Sequence, residues 1–177
     1  MEQHLFVDES KVGDYLLVVA SVPSSGLALA RRRLQSLYLP RQKYIHMVRE
    51  RPGRQRQILG ELGAVPATFV VYRAARSAWR TDRAGREQCI KALVSDLDAD
   101  QPTHVLLDRD TGVEQADRRW MRDGLHQRGI HDLVRYDHGK ASQEPLLALP
   151  DILGWAWSKG GQWRAACRQI VTTTIDV

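Results

Sequence analysis

A chain of 177 residues, 43% apolar and 27% charged, is long enough to enclose one well-filled core and too short to expect two domains. Its longest early apolar run, Tyr15 to Val22, has a strand's length and no basic leader before it, which excludes a bilayer-spanning helix there and makes a cytoplasmic protein without membrane attachment the expectation. The net charge of +5 and pI of about 9.5 suit a polyanionic partner such as nucleic acid, although most basic residues are arginine, an excess that GC-rich coding also produces.

In chain order, His4 to Asp8 and Tyr15 to Val22 read as a hairpin across a polar turn. Pro23-Ser-Ser-Gly26 opens a helix over about 27–37, ended by Pro40. Tyr44 to Val48 suggests a brief strand, and Pro52 to Leu62 a basic helix before Gly63 and Pro66. Ala67 to Arg73 is strand-like, rich in β-branched and aromatic residues. A helix over about 82–97 carries the stripe Ile90, Leu93, Val94 and Leu97.

Thr103 to Asp108 (THVLLD) is an apolar run suited to burial on both faces. A helix over about 113–127 stops at Gly129, a fifth main strand covers Asp132 to Tyr136, and one long last helix spans about 149–168. The C-terminal IVTTTIDV fits either an edge strand or a tail. Cys89 and Cys167 have no Cys-x-x-Cys or histidine cluster near them and read as buried free thiols. The order predicts a single α/β domain over residues 1–177: a mixed five-stranded sheet flanked by helices, with a helical insertion over about 24–64 between strands two and three.

Three acids stand at equivalent positions in this pattern. Asp8 ends the first strand, Asp108 ends THVLLD, and Asp151 begins the last helix in LPDILGWAW. Ends of neighbouring central strands lie side by side, so these acids can converge across more than a hundred residues of sequence. Clustered carboxylates repel one another unless a cation neutralises them. Hard oxygen donors suit Mg²⁺ or Mn²⁺, and two such ions about 3.5–4 Å apart can activate water and stabilise a leaving alkoxide in phosphodiester cleavage.

With FVDES at the end of the first strand, VLLD in mid-chain and ALPDILGWAW late, the chain resembles the domain of unknown function 3800 family over roughly residues 4–165. The resemblance implies a ribonuclease-H-like fold and maps Asp8, Asp108 and Asp151 onto that family's metal-binding aspartates. Departures from the family pattern are Lys11 in place of glycine, Ala148 in place of glutamine and Pro150 in place of alanine. Ribonuclease-H-like enzymes commonly add a glutamate from the helix after the third strand, which points to Glu87 as a fourth ligand. The fold also implies that Lys140 and Ser142 lie near the scissile phosphate. His46, in the family's histidine-containing segment YIHMVRE, is a candidate for guiding a proton or a phosphate.

Lys11, Arg49, Arg51 and Arg54, with Arg31 to Arg33 and Arg56, are candidate contacts to a phosphate backbone, or else a solvated face. Glu9, Glu50 and Asp110 have solvated, salt-bridging or turn-capping alternatives to a site role. Trp155, Trp157 and Trp163 suit core packing or a homodimer contact. The leading expectation is a Mg²⁺- or Mn²⁺-dependent nuclease acting on DNA or RNA. The alternatives are a non-catalytic nucleic-acid-binding module and a small-phosphate phosphatase using Asp108 and Asp110.

Overall fold

Alternation along the central strands divides the interior into two halves. In the computed structural model, which describes residues 1–177, β1 (Gln3–Ser10) and β2 (Tyr15–Pro23) pair antiparallel. Their turn passes through Gly13, whose φ of 77° is a conformation glycine adopts without a Cβ penalty. Phe6, Leu16, Val18 and Ala20 are buried on one face of this hairpin, and Leu5, Val7, Leu17 and Val19 on the other.

The sheet has six strands in the order β5-β4-β1-β2-β3-β6, with β3 (Thr68–Ala74), β4 (Thr103–Asp108), β5 (Val134–Gly139) and β6 (Val171–Asp176). β4 runs parallel to β1, β5 parallel to β4 and β6 parallel to β3, while β3 is antiparallel to β2. One face carries α1 (Leu27–Ser36), α2 (Pro52–Glu61), α5 (Ala148–Lys159) and α6 (Gly161–Cys167). The opposite face carries α3 (Asp82–Asp96) and α4 (Glu114–Arg128). Both cysteines are buried and free, and no helix is long and apolar enough to cross a membrane.

Three expectations are corrected. The sheet gains a sixth strand, because the β-branched C-terminal run pairs along the edge of β3. Tyr44 to Val48 forms no strand: the Met47 N–H donates to the Asp151 carboxylate instead of to a neighbouring strand, and Met47 to Arg49 make a single 3₁₀ turn. The last helix is broken in two at Gly160 and Gly161, which hold φ values of 71° and 52°.

α3 lies close on the sheet because residue 85 has no side chain. A Cβ at Gly85 would sit 3.1 Å from the Ala74 Cβ and 3.2 Å from the Tyr15 Cβ. Gly85→Val is therefore expected to cost about 2–3 kcal/mol through overpacking. The check is a urea titration, in which the midpoint should fall at unchanged slope. An unchanged midpoint would show that α3 can move aside freely.

Candidate active site

The parallel register of β1 and β4 pairs Val7 with Leu107. The next residues, Asp8 and Asp108, therefore leave adjacent strand ends side by side, on the face covered by α5. Asp151 stands in the first turn of α5. That helix approaches the hairpin closely at Gly154, where a Cβ would lie 3.3 Å from the Val18 Cγ2. Asp8, Glu9, Asp108 and Asp151 all line one cleft of about 360 Å³. The same cleft is lined by the basic residues His46, Arg49, Arg109 and Lys140.

Burial pushes the Asp8 carboxyl well above the usual carboxylate range, and the charges of Glu9, Asp108 and Asp151 push it further. Its Oδ1 accepts a hydrogen bond from the Glu9 N–H at 2.8 Å. Asp108 is raised to about 6, first by burial and then by Glu9 and Asp151, with Lys140 and Arg86 opposing. Asp151 is oriented from both sides: its Oδ1 lies 3.0 Å from the His46 Nδ1, and its Oδ2 accepts from the Met47 N–H at 2.9 Å. That bond to Asp151 is the main reason the His46 imidazole holds its proton above the ordinary histidine range.

The donor set is the one a hard divalent cation takes, since each carboxylate keeps free lone pairs and their mutual repulsion is relieved by positive charge. As the side chains stand, no three acids, imidazoles or thiols are close enough together to hold an ion.

The other sequence candidates separate clearly. Glu87 is corrected: it lies on a different groove, between α3 and α4, and pairs with Lys91 at 2.7 Å, one helical turn away. Arg51 is exposed at the start of α2 and lines no part of the cleft. Arg54 is turned inward, donating to the Leu37 carbonyl and to the Gln57 Oε1. Lys11 does not line the cleft; its Nζ lies 3.0 Å from the Glu9 Oε1 and 3.4 Å from the Asp110 Oδ2. Asp110 accepts from the Gly112 N–H, a turn-capping role that leaves the phosphatase-like pairing with Asp108 unsupported.

Glu50 is bound by Gln42 at 2.6 Å and lines a neighbouring pocket instead. Arg31 makes a two-pronged pair with Glu144, so part of the presumed basic patch is structural. Trp155 and Trp163 meet edge to face at 4.8 Å, against the core and away from the acids.

The sequence leaves Glu9 open between a site role and a solvated one, and holds no motif that marks Tyr15, Arg86, Asp117 and His138, which form a buried polar cluster behind it. Periodicity is the signal for two of them. Arg86 precedes Ile90 and Leu93 at helical spacing, and Asp117 precedes Trp120 and Met121, so both charges fall on stripes that must face the core.

No family model matches the chain, and no curated protein matches it in sequence. Among solved structures it is similar to ribonuclease H2 from Pyrococcus horikoshii OT3, with a TM-score of 0.63 and 12% identity over 94% of this chain and 76% of that one. It is also similar to RNase HII from Archaeoglobus fulgidus, solved in complex with PCNA, with a TM-score of 0.56 and 18% identity over 90% of this chain and 72% of that one. These likenesses define the chain as an α/β protein of ribonuclease-H-like fold.

Proposed function

We propose that the chain is a divalent-metal-dependent nuclease that hydrolyses phosphodiester bonds in DNA or RNA, and that it belongs with the domain of unknown function 3800 family it resembles. The observation that carries this reading is the convergence of Asp8, Glu9, Asp108 and Asp151, from β1, β4 and α5, on one cleft. These four acids would hold Mg²⁺ or Mn²⁺, with Glu9 taking the fourth place in preference to Glu87. Ions of this class supply an activated water and offset charge at the scissile phosphate.

The chain's own residues do the rest. His46 and the Met47 N–H keep the Asp151 carboxylate oriented. Lys140, whose charge is felt at Asp108, and Arg49 and Arg109 on the same cleft offer cationic contacts to the phosphate backbone. The test is incubation with single-stranded, double-stranded and hybrid DNA and RNA in Mg²⁺, Mn²⁺ or EDTA. Cleavage in metal and none in EDTA is expected; the absence of cleavage on every substrate would remove the enzymatic reading.

A second reading is a nucleic-acid-binding module that does not cut. Two observations favour it: no trio of donors stands at chelating spacing, and the Lys11 ammonium already sits on Glu9. It requires salt-dependent binding with no metal-dependent cleavage.

A further inference from the structure

Behind the acids lies a buried charged cluster that the proposed chemistry does not itself use. The Arg86 side chain is 3% exposed and that of Asp117 is fully buried. Arg86 Nε and Nη2 donate to the two carboxylate oxygens of Asp117 at 2.8 and 2.9 Å, a two-pronged pair that already satisfies the ion pair. The remaining arm reaches past it: Nη1 donates to the Glu9 Oε2 at 2.7 Å and to the Tyr15 hydroxyl at 2.9 Å. His138 Nε2 lies 3.0 Å from the Asp117 Oδ2 and closes the far end of the chain of bonds.

We infer that Arg86, braced by Asp117 and His138, is a positioning residue of the active site, which holds the Glu9 carboxylate at the cleft so that Glu9 can serve as a ligand to the divalent ion. This rests on the metal-dependent reading above. Alternation along β1 turns Glu9 toward α3 and α4, away from the face on which Asp8 sits. Only at the strand's end can its carboxylate still line the cleft, and Arg86 is the group that holds it there.

Two further observations support a role beyond folding. Buried ion pairs are often no more stabilising than apolar residues of the same volume, so stability alone does not account for a guanidinium here. Arg86 also places one positive charge between two carboxylates, Glu9 and Asp117, so it does not by itself neutralise both acids. Glu9 Oε2 is tied from behind, while the partner of Oε1 is the Lys11 ammonium, on a side chain 45% exposed, which can leave when a stronger cation arrives.

The test is a double-mutant cycle on Mn²⁺ affinity, measured by calorimetry on the full chain with thermal melts to establish folding. Arg86→Lys keeps the charge but cannot reach three partners, and it is expected to weaken Mn²⁺ binding about tenfold, the scale found when a group supporting a ligand is removed. Glu9→Gln is expected to weaken it at least as much. In the Glu9→Gln background, Arg86→Lys should then add less than about twofold, because its effect passes through Glu9.

Penalties that multiply, or a folded Arg86→Lys chain that binds Mn²⁺ as the parent does, would overturn the inference. Should Arg86→Lys fail to fold, Asp117→Asn, which keeps the shape of the cluster, is read in the same cycle with the same expected non-additivity. The two levels of failure are distinguishable. A parent chain that binds no Mn²⁺ removes the metal-dependent reading and this inference with it. A parent that binds Mn²⁺, loses it in Asp8→Asn and keeps it in Arg86→Lys removes the inference alone.

Discussion

Asp8→Asn is expected to abolish metal-dependent cleavage, by about a thousandfold or more, the scale set by deleting a principal catalytic group. The same substitution should leave the metal-free protein at least as stable as the parent. Asp8 is half-buried, and desolvation together with the charges of Glu9, Asp108 and Asp151 raises its carboxyl well above the usual range, so its negative charge is unfavourable until a cation arrives. Asparagine removes that charge and retains an Oδ1 that can accept the Glu9 N–H, as Asp8 does at 2.8 Å. Loss of activity with an equal or higher Tm identifies Asp8 as a functional acid. Undiminished cutting would remove the site, and lost activity with a collapsed Tm would make Asp8 a structural residue.

The second large effect is on stability, and pH controls it. Asp108 titrates at about 6 in the folded chain and near 3.9 when unfolded, and Asp8 is shifted in the same direction. A carboxyl whose folded pKa lies above its unfolded value binds more protons in the folded state. The stability it contributes is therefore lost as pH rises from about 4 through about 6. His46, raised by Asp151, contributes stability below about 6.5 that is lost above its folded pKa, so it acts in the same sense.

Asp117 is lowered against its own burial by hydrogen bonds with Arg86 and His138, and Asp176 by hydrogen bonds from Arg73; both lose their contribution as the solution is acidified below about 4. The metal-free protein should therefore be most stable near pH 5 and weaker at pH 8. Mn²⁺ binds the deprotonated acids, so its stabilisation should be slight at pH 5 and largest at pH 8. At a hundred times Kd it is worth about 2.7 kcal/mol, or roughly 5–10 °C for a chain of this size. Melting curves at both pH values with and without Mn²⁺ provide the check. A shift equal at both, or none, would show that the raised carboxyls are not where the ion binds.

The parts legible in the sequence share one physical origin. Asp8 and Asp108 end apolar runs whose β-branched and aliphatic residues commit them to central strands, and Asp151 opens a helix whose apolar residues commit it to the core. Strand ends and helix starts are then side by side whatever the loops do. Glu9 stays open in the sequence where Asp8 does not, because period two sends neighbours to opposite faces. Its approach to the cleft depends on Arg86, a contact across 77 residues.

Glu87 looked equivalent by its helix and failed by its direction, toward Lys91 on the outer groove. Arg54 offered the right charge, yet a backbone carbonyl and Gln57 claimed it. The break at Gly160 was written in a glycine pair, but helical periodicity on either side of it masked the interruption. β6 shows the limit of local propensity: its residues favour a strand, and only the open edge of β3 decides that they form one.

Asp8 and Glu9 are neighbours in the chain, yet each leans on a different half of the interior, one under α5 and the other against α3 and α4. The cleft thus sits astride a seam, and a substitution deep in either half tilts one member of the acid pair before it disturbs the other. Two distant repacking mutations, one per half, should therefore displace different acids of the same cleft.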